Sequence, residues 1–108
     1  MIYEIIITRQ ADADLRGIYE YIAFELLSPY NAEGQLGRLE DSIMGLEKFP
    51  EKFKVYEKEP WHSRGLRVMP VDNYLVFYIT NKEMGNVTVL RVMYAGRDVN
   101  EQLNNGRI

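Results

Sequence analysis

Apolar residues change their spacing several times along the chain, and each change marks an element. Ile2 to Ile7 is a β-branched run with one charge, which predicts a first strand. Thr8 follows, a residue whose hydroxyl can cap a helix. From Ala11 the period lengthens. Ala11, Leu15, Ile18, Tyr19 and Ile22 fall three or four positions apart and form one face, opposite Asp12, Asp14, Arg16 and Glu20. This predicts a helix that ends near Leu26 or Leu27. Ser28-Pro29 has the form of an N-cap followed by a proline at the first helical position. Ala32, Leu36, Leu39, Ile43 and Leu46 then predict a second helix with a seam suited to packing on another helix, closed by Phe49-Pro50. Gly34 and Gly37 cost this helix about 1 kcal/mol each relative to alanine. They either admit a close neighbour or face solvent.

Glu51 to Ser63 reads as a polar connection that carries Phe53, Tyr56 and Trp61. Three strand-like segments follow, 65–71, 73–80 and 87–95, with turn residues at Asp72-Asn73 and Gly85-Asn86. Asp98 to Leu103 suits one helical turn, and 104–108 a frayed end. The order is β-α-α-β-β-β. Short turns between consecutive strands imply an antiparallel meander, so the predicted class is α+β, a helical hairpin packed on one face of an antiparallel sheet. The opposite face is expected to stay partly open.

Composition narrows this further. A chain of 108 residues predicts a single domain over 1–108. At 46% hydrophobic and 27% charged residues it has the balance of a folded chain rather than a disordered one. Without cysteine no disulfide or thiolate metal site is possible, and a single histidine excludes a multi-histidine site; no metal or cofactor is expected. The N-terminus lacks the pattern of a signal peptide and no apolar run approaches a membrane span, which predicts a cytoplasmic protein with no membrane partner. The net charge of −3 argues against strong non-specific binding of nucleic acid, although Arg64, Arg67, Arg91 and Arg97 cluster in the second half.

Four segments, in order, carry a resemblance. They are Ala13-Asp14-Leu15 leading to Ile18-Tyr19-Glu20-Tyr21-Ile22; Leu46-Glu47-Lys48-Phe49-Pro50; Gly65-Leu66-Arg67-Val68 with Asn73-Tyr74-Leu75-Val76-Phe77-Tyr78; and the run from Val89 to Asp98 that ends Gly96-Arg97-Asp98. Together they resemble the RelE/ParE superfamily of toxins over almost the whole chain. The resemblance implies a growth-inhibiting toxin of a type II toxin–antitoxin system, neutralised by a cognate antitoxin. Two mechanisms occur in this superfamily. RelE-like members cleave mRNA in the ribosome, and ParE-like members act on DNA gyrase; fold alone does not choose between them.

Metal-free RNA cleavage needs a base, cations for the scissile phosphate and an acid for the leaving oxygen. Alignment with RelE places Leu75 at the key arginine of the middle strand and Leu103 at the C-terminal tyrosine. Leucine neither donates to phosphate nor transfers a proton. The ParE-like, gyrase-directed reading is therefore favoured, with ribosome-dependent mRNA cleavage as the alternative. In that alternative Arg67, Arg91, Tyr94 and Arg97 are the catalytic candidates, and Arg67 and Arg91 are expected on one face of neighbouring strands. The opposing reading makes the arginines solvated strand ends paired with acids, and Tyr94 an ordinary strand aromatic. His62, beside Trp61, is a candidate base with no evident orienting group. An apolar antitoxin-docking surface is expected around the hairpin tip, at Tyr19, Phe24, Leu26, Leu27 and Tyr30; these residues otherwise close the end of the core.

Overall fold

The computed structural model describes residues 1–96 and 98–105, Asn105 by its backbone alone. β1 (Glu4–Ile7) leads into α1 (Arg9–Glu20), a π-helical turn over Tyr21–Glu25, and α2 (Pro29–Met44). β2 (Arg67–Val71), β3 (Tyr74–Asn81), β4 (Asn86–Tyr94) and α3 (Val99–Asn105) complete the chain. The order is the predicted one.

Local chemistry sets the boundaries. Thr8 is extended, and its hydroxyl accepts the Ala11 N–H at 3.1 Å, so it caps α1. Pro29 opens α2, while the Ser28 hydroxyl accepts from the Asn31 amide at 2.7 Å rather than from the helix backbone. Between the helices Leu27 takes φ 53°, a left-handed conformation that large apolar side chains rarely adopt. A methyl group at Gly37 would meet nothing within 4 Å, and at Gly34 only the end of the Arg38 side chain. These glycines therefore admit no close helix contact.

The four-stranded sheet has the order β1-β4-β3-β2. β2, β3 and β4 form the expected antiparallel meander. β1 joins its edge parallel to β4, in register from Glu4↔Asn86 to Ile7↔Val89, which makes the sheet mixed. The helical hairpin is the reason. It returns the chain to the end where β1 began, so β2 sets out in β1's direction and, after two reversals, β4 does too. One expectation fails on this topology: β3 separates β2 from β4, so Arg67 and Arg91 are not on neighbouring strands.

Alternation along β3 sorts two cores. Tyr74, Val76 and Tyr78 face the helices, where they pack with Leu15, Leu39, Ile43 and Val89. Leu75, Phe77 and Ile79 face the other way and pack with Trp61, Leu66, Met93 and Leu103. The sheet face expected to be partly open is thus covered by the 53–66 connection and by α3. The connection's aromatic residues make this possible: Tyr56 meets Phe77 edge-on at 5.8 Å, and the Trp61 indole N–H donates to Asn104 Oδ1 at 2.9 Å. At the helix side the buried Tyr78 hydroxyl donates to Pro50 O at 2.5 Å and ties down the turn that closes α2.

Candidate partner-binding site

The π-helical turn adds a residue to the end of α1 and shifts its phase. Ala23 stays buried, but Phe24, Leu26 and Leu27 are turned outward. Phe24 is 67% exposed, Leu27 83% and Tyr30, on the first turn of α2, 87%. These residues do not close the core; they form an exposed apolar patch at the hairpin tip, of the sort that marks interaction surfaces. Tyr19 is half-buried on α1 beside them.

Behind the tip lies a groove of about 950 Å³ between α1, the start of β3 and the end of β4. Tyr21, Ile22 and Leu26 form its tip wall; Tyr74 and Tyr94 form its sheet wall. The two sheet tyrosines meet edge-to-face with ring centroids 5.9 Å apart. Burial, then the nearby Tyr94 and Tyr21 hydroxyls, push the Tyr74 hydroxyl above its ordinary pKa. Asn31, Gln35, Asn73 and Gln102 supply uncharged polar groups.

Arg91 and Asp14 also line the groove, and they are committed to each other. Arg91 Nε and Nη2 donate to the Asp14 carboxylate at 2.8 and 3.2 Å. The Val92 N–H donates to Asp14 Oδ2 at 2.9 Å, where β4 runs on past the end of β1. Both side chains are about 90% buried (11% and 10% exposed), so a bidentate pair satisfies an otherwise open strand edge. A bulge where β4 passes the Phe77/Tyr78 step brings Arg91 to this point.

The remaining candidates are dispersed. Arg67, on the outer edge of β2, donates to the carbonyls of Glu51 and Phe53 at 3.1 and 2.6 Å. Glu51 bridges it to Lys82, with the Arg67 and Lys82 nitrogens 3.8 and 3.1 Å from its carboxylate. Arg64 stacks over Trp61 at 5.0 Å. His62 is exposed, its Nδ1 4.0 Å from Glu59. Arg97 lies outside the described residues. The structure thus brings together Arg91 and Tyr94 in the groove, leaves Arg67 on the far edge, and places Leu75 and Leu103 in one apolar cluster, Leu103 with no exposed surface. No group of His, Asp and Glu suited to a metal occurs among the described residues, and no helix there is long and apolar enough to cross a membrane.

Sequence reasoning missed Tyr21, Tyr74 and Asp14 as site residues. Tyr21 falls at helical spacing from Asp14, Gly17 and Ile18, which line the same groove, so its signal was its place on that face of α1 rather than on the apolar one. Asp14 carried a signal of sorts, an acid one position from the apolar face of α1.

Residues 5–99 match the family described as ParE toxin of type II toxin-antitoxin system, parDE. No curated protein sequence matches the chain. Among solved structures, the chain is similar to one from the chromosomal ParDE system of P. aeruginosa, with a TM-score of 0.70 and 19% identity over 86% of this chain and 96% of that one. It is similar to the toxin–antitoxin complex RelBE2 of Mycobacterium tuberculosis, with a TM-score of 0.63 and 20% identity over 87% and 92% of the two chains. It also resembles the archaeal RelE–RelB complex of Pyrococcus horikoshii OT3, with a TM-score of 0.62 and 22% identity over 90% and 99%. At these identities the structural likenesses speak to fold.

Proposed function

The chain belongs to the ParE toxin family of type II toxin–antitoxin systems, and from that premise we propose that it acts on DNA gyrase by protein contact, not on mRNA by cleavage, and that its cognate antitoxin neutralises it in the cytoplasm by covering the hairpin tip. The observation that carries the first part is the fate of the sheet face where a RelE-like toxin cuts RNA. Leu75 and Leu103 stand at the aligned positions, and both are packed in the second core beneath α3. Leucine offers neither charge to a phosphate nor a transferable proton. Among the described residues, the two arginines that would have to compensate are engaged: Arg91 by Asp14, Arg67 by two carbonyls and Glu51. With a net charge of −3 the chain also lacks the overall field that draws in RNA.

The second part rests on the exposed tip residues Phe24, Leu27 and Tyr30, which the fold leaves unburied; Tyr19, half-buried on α1, adds only its exposed part. Three of the similar solved structures come from toxin–antitoxin systems, which agrees with an antitoxin as the partner here.

Inducible expression without antitoxin tests the target, with DNA and protein synthesis followed by pulse labelling. DNA synthesis is expected to stop first, and the purified protein is expected to inhibit supercoiling by gyrase. Translation stopping first, with codon-linked breaks in mRNA, would overturn the gyrase reading and make Arg67, Arg91, Tyr94 and Arg97 the residues to mutate.

A further inference from the structure

The chemistry of the tip restricts what can sit on it. From Gly17 to Gly37 the sequence contains Glu20, Glu25 and Glu33 and no lysine, arginine or histidine. All three carboxylates are exposed, interleaved with the exposed Tyr21, Phe24, Leu26, Leu27 and Tyr30. The cations nearest in sequence are occupied: Arg16 is paired with Asp12, and Arg38 donates to Asp72 at 2.8 Å. Among the described residues neither Glu25 nor Glu33 forms a salt bridge. The groove behind the tip is neutral, because Arg91 and Asp14 cancel and its other polar groups are amides and tyrosine hydroxyls.

We infer that the tip and groove accept a cationic amphipathic peptide segment of the antitoxin, with apolar or aromatic side chains against Phe24, Leu27 and the groove tyrosines, and lysines or arginines facing Glu20, Glu25 and Glu33. This rests on the toxin–antitoxin reading given above. Charge argues against the other occupants. A second copy docked on the same patch would bring two acidic rims together. Anionic lipid and nucleic acid would meet the same repulsion. A basic segment gains from the rim what these lose, and its apolar anchors cover a surface that water now wets.

The full-length cognate antitoxin and overlapping synthetic peptides that tile it are the probes, with binding read by fluorescence anisotropy. The tightest peptide is expected to carry net positive charge. The Glu25→Lys/Glu33→Lys toxin is expected to bind it about tenfold more weakly, the scale of two rim pairs turned repulsive, with a flatter dependence on salt. A peptide with its facing lysines changed to glutamate is expected to recover binding to that variant. Leu27→Ala weakens every binding peptide without altering the salt slope. An acidic tightest peptide, or a reversed-charge toxin that binds as wild type does, overturns the inference and leaves the toxin–antitoxin reading standing. A dimer of the toxin alone that Leu27→Ala dissolves assigns the patch to a second copy and also overturns it. Failure of the full-length antitoxin to bind wild-type toxin sinks the reading beneath it instead.

Discussion

Two buried polar contacts decide how individual residues behave. Asp14 neutralises Arg91 and accepts the Val92 N–H, so its removal leaves a buried guanidinium and a strand-edge donor without partners. Asp14→Ala is expected to lower the unfolding free energy by about 3–5 kcal/mol in urea denaturation, the scale for breaking a buried pair. The double variant Asp14→Leu/Arg91→Met is expected to recover much of that loss. If it recovers none, the pair has a role beyond mutual neutralisation. Tyr78 tests burial through pH. Its hydroxyl is pushed up to about 12 by burial, whereas a tyrosine in an unfolded chain titrates near pH 10. The folded state thus holds the proton longer. The stabilisation is complete below pH 10 and is lost as pH rises from 10 through 12, because the unfolded chain releases its proton first. Tyr78→Phe is expected to flatten the fall in stability over that window and to cost about 1–2 kcal/mol at neutral pH, since Pro50 O loses its buried donor. An unchanged alkaline slope would show that other groups drive it.

Among the elements, α3 is short and is held by few contacts: Leu103 and Val99 in the second core, and the amides of Asn100 and Asn104, which accept from Tyr56 and Trp61. Leu103→Ala is expected to loosen α3 from the sheet at a cost of about 2–5 kcal/mol while the helix-side core persists. Trp61, the only tryptophan, reports this directly: its emission should move to the red with little change in far-UV circular dichroism. Unshifted emission would mean that the connection holds Trp61 without α3. Periodicity made both long helices and the three meander strands legible, because each buries a face of regular spacing. It failed where regularity stops. The π turn leaves Phe24 and Leu26 outside the core, the bulge in β4 breaks alternation near Arg91, and the aromatic residues of a polar connection fold back over a sheet face. Within the strand-like segment 65–71, Leu66 and Val68 point into this second core, which the pattern did not announce.

At the scale of the molecule, the legible part of the site was its apolar excess at the hairpin tip, where Phe24, Leu27 and Tyr30 stand out against a two-layer core that has no room for them. The arginines were harder to judge. Arg67 and Arg91 have similar sequence surroundings, yet their partners are Glu51 and Asp14, residues that only the folded chain brings near. Strand order, which set them apart, follows from how the hairpin returns the chain, and no local pattern records it.

The parallel pairing of β1 with β4 also has a consequence for synthesis. Thr8, at the end of β1, and Leu90, which it touches, are 82 positions apart. At about 5–20 residues per second, roughly 4–16 s separate the emergence of the first strand from that of its partner. Through that interval Ile5, Ile6 and Ile7 have no sheet to join, and the helices have only part of their floor. A ribosome that stops before Asn86 therefore releases a fragment without its central strand, and no toxin, so the last stretch of translation governs when this protein first becomes dangerous.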